Sequence, residues 1–317
     1  MSKGKLVRGL RQGTDEWREW RRSKIGASDA PIIYGVSPFR SRIDLWAEKT
    51  GGQTEEVTAE TLARWDVGRR VEGIALDHYA AVTGRKLRRG LIFEDREVSW
   101  RVASLDALTD DRVVEAKWSS RFRDEVPLDV LVQVTHEMAV VGVRRADIVV
   151  LSPEGFAIHE VVFDLALWEA IDEAEREFWR RVEAGVPPAP EGTDAARAAV
   201  DRLSKPEPGL RIEGDATLDA LVKERILLRE ERDRLDVRLS EIENAIRLIL
   251  GPAEEAVGDG WRVTYKPVRD SVRTDWQAVV TNLDPLLTDE QRREAERLRE
   301  QFSVVVPGGR RLLIKEV

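Results

Sequence analysis

RVVEAKWSS, residues 112–120, sets a glutamate and a lysine two positions apart in a run that otherwise reads as an apolar strand. On a strand, residues i and i+2 share a face, so Glu115 and Lys117 point one way while Val114, Ala116 and Trp118 point the other. The preceding strand-like run ends in SLDAL (104–108), and a hairpin through the turn-rich TDD (109–111) brings Asp106 back beside Glu115. Two carboxylates and an ammonium then converge on one patch of sheet. Crowded carboxylates repel each other and favour a hard cation such as Mg²⁺, which takes carboxylate, carbonyl and water oxygens. A lysine beside such an ion can orient or help deprotonate a water. A solvent-facing strand with a Glu–Lys pair produces the same E-x-K, a pattern short enough to recur by accident. The metal reading also requires an acid on the partner strand, and Asp106 stands in that place.

Composition bounds the chemistry further. A chain of 317 residues, 42% apolar with ten tryptophans, can bury the core of one large domain and carry an appendage. The N-terminus MSKGKLVRGL is basic but no apolar stretch follows it, and no window approaches the roughly 18 uncharged apolar residues of a membrane span. The expectation is a soluble, non-secreted protein working in a cytoplasm. The lack of cysteine excludes disulfides, thiolate zinc sites, iron–sulfur clusters and a cysteine nucleophile, and three histidines leave little for an imidazole-rich site. Any metal must be held by oxygen. The net charge of −8 argues against a general nucleic-acid glue, yet the acidic excess lies after residue 125. Arg18, Arg21, Arg22 and Lys24 form one basic cluster and Arg85, Lys86, Arg88 and Arg89 another. A locally basic groove is compatible with an acidic total, although the second cluster reads equally well as solvated surface charge.

Outward from the central strand, DEWREWRRSKIGASDAPIIYG predicts a helix, an irregular link and a second helix opening at Ser28 or Asp29 with Pro31 in its first turn. Ser41 caps a short helix with Asp44 at its third position. A longer helix covers about 62–82 and stops at Gly84. KLRRGLIFE, VSWRVASLDAL and RVVEAKW read as three strands, LDVLVQVTHEMAVVG as a helix, ADIVVLSPEG and FAIHEVVF as two more strands, and LALWEAIDEAEREFWRRVEAG as a helix stopped by PPAP. The order predicts an α/β or α+β domain on a central mixed sheet, residues 1–190. A linker over 191–216 with room for a short helix, a long heptad helix over 217–250 and a small α+β region over 251–317 follow. The heptad seam runs Leu218, Leu221, Arg225, Leu228, Arg232, Leu235, Leu239, Ile242, Ile246, Ile249. Its two arginines argue against a dry parallel zipper and for packing on the body of the protein or in a helical hairpin. Thr288 and Gln291 suit a capping box, and FSVVVPGGRRLLIKEV a terminal hairpin.

Asp106, Glu115 and Lys117 in D-(x)8-E-x-K order match the signature of the PD-(D/E)XK nucleases, and the flanking blocks resemble the phage branch that contains lambda exonuclease and the YqaJ-type viral recombinases. IGASDAPIIYGVSPFRSRIDLWAEKTG is similar to that branch's opening block, WDVGRRVEGIALDHYAAVTGRKL to its G-x-x-x-E helix, VPLDVLVQVTHEMAVVG to its Q-V-x-x-x-M helix, and EFWRRVEAGVPP to its closing F-W-x-x-V…G-x-P-P. The chain departs from the pattern at Leu105, where the family often has proline; that residue is not a ligand, so the metal site should survive.

The resemblance implies Mg²⁺ held by Asp106, Glu115 and the Ala116 carbonyl, Glu72 near a second metal position, Lys117 acting on the attacking water, and Gln133 contacting the site or substrate. It also implies a pocket for a DNA 5′-phosphate formed by Arg21, Ser28, Ser104 and Gln133. A guanidinium pairs bidentately with phosphate and a helix N-terminus attracts anions, though Ser28 and Asp29 serve equally well as helix caps. Read alone, Glu72 and Gln133 are ordinary helix-surface residues, and His136 is expected to pack or hydrogen-bond on its helix. The activity implied is a Mg²⁺-dependent exonuclease, with Mn²⁺ able to substitute, that digests linear double-stranded DNA from 5′ ends and leaves 3′ overhangs for a single-strand annealing protein. A homo-oligomer, a trimer by preference, is implied with it. The alternatives are another PD-(D/E)XK endonuclease or repair nuclease, and a non-catalytic DNA-end-binding assembly module.

Overall fold

Two short apolar strands on either side of TDD begin the sheet that organises the chain. In the computed structural model, which describes residues 4–52, 59–119, 125–204, 207–267 and 275–303, the chain divides into two compact units, Met1–Glu207 and Pro208–Val317. The first unit is built in the order β1 (Lys5–Val7), α1 (Asp15–Arg22), β2 (Ile25–Gly26), α2 (Ala30–Tyr34), α3 (Arg42–Lys49), α4 (Ala59–Thr83), β3 (Arg88–Glu94), β4 (Arg101–Leu108) and β5 (Arg112–Trp118). It continues with α5 (Leu128–Val141), β6 (Arg145–Ser152), β7 (Gly155–Val162), α6 (Leu165–Ala184) and α7 (Asp194–Leu203). The sheet order is β1-β3-β4-β5-β6-β7, with β2 paired to β4.

The hairpins β3–β4, β4–β5 and β6–β7 are antiparallel, whereas β5 and β6 run parallel because α5 carries the chain across between them. Both faces of the sheet are covered. Leu105, Leu108, Val113, Ile148 and Val150 pack with Val130, Val134 and Met138 of α5. On the other face Ala107, Val114, Ala116 and Val149 pack with Ala75, Leu76 and Tyr79 of α4. The mixed sheet between helices is the architecture expected from the order of elements. β1 and β2 were not expected: three residues and two residues are too short to show a period of two, and Ile25–Gly26 read as an irregular link.

His136 is fully buried but its bonds leave its own helix: Nδ1 lies 2.6 Å from Glu175 Oε1 on α6, and Nε2 2.9 Å from the Val102 carbonyl. Arg101 donates to Glu175 at 2.7 Å and also to Asp172, and lies against the Trp168 ring. These bonds tie β4, α5 and α6 together. Because Glu175 is fully buried, Arg101→Ala would strand its charge, and the expected loss is about 3–5 kcal/mol. Urea unfolding measures it.

The short helix allowed for within the linker is α7, Asp194–Leu203. Ala196 and Ala199 of α7 are buried, the helix packs on α3, and Arg202 and Glu191 pair with Asp44 and Arg42 at 2.6 and 2.9 Å. The small alanine face, which reads as featureless in sequence, permits that close approach.

The second unit contains α8 (Ala216–Leu250), the hairpin β8 (Glu255–Gly258) and β9 (Trp261–Thr264), α9 (Trp276–Leu283), a 3₁₀ turn at Asp284–Leu286, and α10 (Asp289–Gln301). The Thr288–Gln291 capping box is present. Of the expected terminal hairpin, Phe302 and Ser303 close α10 and the rest lies outside the described residues. Within its own unit the α8 seam is not covered among the described residues: its apolar residues are exposed. The other helices of this unit, of 8 and 13 residues, are too short to cover 35 as hairpin partners. Among the described residues no helix is long and apolar enough to cross a membrane.

Candidate active site

The hairpin at 109–111 closes with the Thr109 amide donating to the Arg112 carbonyl at 2.9 Å. Strand pairing then holds for Leu108 with Val113 and Ala107 with Val114, and stops. One step further, where Asp106 and Glu115 would face each other, the strands part, and the Asp106 carboxylate accepts the Ala116 N–H at 2.9 Å. The fork opens a cleft of about 430 Å³. Asp106, Glu115, Ala116, Lys117, Glu72, Gln133, Arg21, Ser28 and Ser104 all line it. Every residue expected at the site is therefore brought to one cleft, from both faces of the sheet: Glu72 comes from α4 and Gln133 from α5.

The polar groups form a chain. Lys117 Nζ lies 2.7 Å from Glu115 Oε1 and donates to Gln133 Oε1 at 2.9 Å. Gln133 Nε2 donates to Glu115 Oε1 at 2.6 Å and to Glu137 Oε1 at 3.1 Å. Burial, then repulsion from Glu115 and Glu72, pushes the Asp106 carboxyl well above the usual range against the pull of the Ala116 amide and Lys117. Burial alone would lower the Lys117 ammonium, but Glu115, Asp106 and Glu137 outweigh it and push it up to about 12. The cleft thus holds an excess of negative charge around one fixed ammonium.

Glu137 was missed in the sequence. It is fully buried, its Oε2 has no hydrogen-bond partner, and burial together with Glu115 pushes its carboxyl well up. A signal existed: an acid one helical turn beyond Gln133, on the same face of an otherwise apolar helix.

At the other end of the cleft, Arg21 Nη2 donates to Ser28 Oγ and lies 3.0 Å from Asp29 Oδ1. The Trp17 indole donates to Ser104 Oγ at 3.3 Å. Asp29 stands at the start of α2 but makes no side-chain cap. It accepts the Gly26 amide at 3.0 Å and pairs with buried Lys49 at 3.2 Å. Burial opposes its ionisation, but Arg21, Lys49 and the Gly26 amide outweigh that and hold the carboxyl well below the usual range. Capping accordingly fails as the reading of Asp29; the residue anchors Arg21. Gly26 is a fit to that arrangement, since a Cβ there would meet the Arg21 guanidinium at 2.9–3.1 Å.

Residues 16–144, which carry the cleft, match the model of the YqaJ-like viral recombinase domain family. Over 277 residues the chain is 29% identical to the uncharacterized protein YqaJ of Bacillus subtilis (strain 168), covering 83% of this chain and 86% of the relative. Among solved structures, an alkaline exonuclease from Laribacter hongkongensis is similar over 54% of this chain and 94% of its own, at 20% identity and a TM-score of 0.47. A phage related exonuclease from Haemophilus somnus 129PT is similar over 51% and 96%, at 12% identity and a TM-score of 0.39.

Proposed function

We propose that the chain is a Mg²⁺-dependent exonuclease that digests one strand of linear duplex DNA from its 5′ end and leaves a 3′ overhang for a single-strand annealing partner, with Mn²⁺ able to replace Mg²⁺. The observation that carries the reading is the placement of Asp106 and Glu115 in one cleft with Lys117 bonded to Glu115. The donor set suits a hard cation: two carboxylates and the Ala116 carbonyl, all oxygen, with negative charge that the protein leaves partly uncompensated. Asp106, Glu115 and the Ala116 carbonyl would hold Mg²⁺, with Glu72 near a second position, and the ion would supply charge stabilisation to the phosphate oxygens.

The side chains do the rest. Lys117, protonated at neutral pH, donates toward the attacking water and offsets charge on the phosphate. Gln133 fixes that ammonium by accepting from it while its own N–H groups are taken by Glu115 and Glu137. Arg21, Ser28 and Ser104 receive the terminal 5′-phosphate; Gln133, expected to join them, reaches it only by exchanging one of those N–H bonds. A guanidinium has five N–H donors, more than Ser28 and Asp29 consume.

Incubation of linear and circular duplexes with Mg²⁺ or EDTA tests the reading. Loss of linear DNA alone, in Mg²⁺ alone and fastest on 5′-phosphorylated ends, is expected; nicking of circles means an endonuclease, and binding without cleavage in Mg²⁺ and Mn²⁺ a non-catalytic module. Arg21→Ala is expected to slow digestion of 5′-phosphorylated ends about 10-fold or more, the worth of a charge-assisted hydrogen bond of about 1.5–3 kcal/mol, while hydroxyl ends change little. Gly26→Ala should reproduce part of this by displacing the guanidinium. Equal loss on both kinds of end in Arg21→Ala removes the pocket from the account. Glu137→Ala leaves one Gln133 N–H unpaired, and a drop of about 10-fold in turnover is expected from loss of a buried hydrogen-bond partner. Glu137→Gln, which keeps the acceptor, should recover most of it in the same single-turnover assay.

A further inference from the structure

Helix α8, 35 residues and about 50 Å long, has an uncovered seam. Its eight apolar positions, from Leu218 to Ile249, are between 37% and 84% exposed. An apolar stripe of that length, interrupted by Arg225 and Arg232, marks an interaction surface, and its alternating three- and four-residue steps fit another helix of equal length. No helix of the same unit has that length among the described residues. The charges decide what the partner is. In a parallel pair of copies Arg225 would meet Arg225, Arg232 would meet Arg232, and Glu231 would stand across from Asp236, so three layers repel. That direction would gain Glu224 with Arg229 and Arg238 with Glu243, but exposed flanking pairs are worth little beside like charges set into the seam itself.

We infer that the partner of α8 is α8 of a second copy of this chain, running antiparallel. Centred on the helix, that pairing sets Leu218 against Ile249 of the second copy, Arg225 against its Ile242, and Arg232 against its Leu235. No arginine then faces another. Arg232 can lay its apolar stem over the leucine and keep its head on Asp233 and Asp236 of its own helix, 2.9 and 3.9 Å away. On the two flanks Glu231 meets Arg238 of the second copy and Arg229 meets its Asp236, and the two-fold axis repeats each pair. Wherever charge meets charge across the flanks in this direction, the contact is attractive. The surface therefore selects a second copy by charge as well as by apolar fit, and does so independently of any nuclease activity.

Two measurements on the full chain test the direction. By sedimentation equilibrium near the concentration of half-association, Glu231→Arg should lower the average mass below that of the wild-type chain, because the introduced guanidinium would then face Arg238 twice across the two-fold; adding Arg238→Glu should restore the wild-type mass. A parallel pair predicts the opposite for the single variant, since Glu231→Arg would remove its repulsion from Asp236. The chain contains no cysteine, so introduced thiols report alone. Leu221→Cys and Ile246→Cys chains, mixed and oxidised, should yield a disulfide-linked dimer that neither forms by itself, with circular dichroism confirming unchanged helix content. Cross-linking of Leu221→Cys alone, or no cross-link in the mixture, overturns the inference.

Discussion

Lys117→Ala leaves the fold standing and lowers the rate of DNA cleavage by about 10³-fold, within the range for loss of a positioned proton-transfer group or charge stabiliser. The fold survives because the Lys117 side chain is partly exposed, at 27%. Glu115 also keeps its bond from Gln133 when the ammonium is gone. The catalytic loss is large because the described residues of the cleft offer no substitute: Lys117 is bonded to Glu115 and Gln133 at the point where the strands part, and Arg21 is engaged with Ser28 and Asp29 at the other end. Binding of linear duplex should be unaffected within about twofold. Single-turnover cleavage and filter binding on the same preparation separate the two effects, and unchanged turnover would remove Lys117 from the mechanism.

Asp106→Asn abolishes cleavage, a loss of about 10⁴-fold or more if the carboxylate holds the ion whose charge stabilisation the reaction needs, and yet it stabilises the metal-free protein. Asparagine still accepts the Ala116 N–H but carries no charge against Glu115 and Glu72. The sign follows from the raised carboxyl. A group with a higher folded than unfolded value favours the fold fully below its unfolded value of about 3.9, and that contribution is lost as pH rises through the folded value. In EDTA, Asp106→Asn should therefore melt higher than wild type at pH 7, by about 2–4 °C for each kcal/mol of repulsion relieved, and the two should converge near pH 4. Mg²⁺ should raise the wild-type melting temperature and leave the variant's unchanged. A variant that melts lower than wild type at pH 7 in EDTA contradicts the crowding.

The arrangement of Asp106, Glu115 and Lys117 was legible because strand period and a three-residue turn are local rules that determine which side chains meet. The fork between β4 and β5 was not, since it depends on the Asp106 side chain replacing a backbone acceptor. Glu72 and Gln133 carry no local signal, and only the order of the surrounding blocks pointed to them. Glu137 read as one more charged helix residue, and its burial is decided by the sheet beneath α5. Asp29 shows the same limit from the other side: Asp two residues ahead of Pro31 at a helix start is a good cap by sequence, but Lys49 and Arg21, distant or on another element, take its carboxylate. α8 was legible as a helix from its heptads, while what covers it depends on charges that count only once a second helix is laid beside it.

The claim on which the account rests is that the Asp106–Glu115 pair takes up a divalent cation, and Mn²⁺ binding followed by electron paramagnetic resonance tests it without any DNA present. Wild-type protein should remove free Mn²⁺ from solution and release it to excess Mg²⁺, whereas Asp106→Asn, folded as judged by circular dichroism, should leave the free Mn²⁺ signal as it is in buffer. Equal uptake by the two proteins, or none by the wild type, contradicts it.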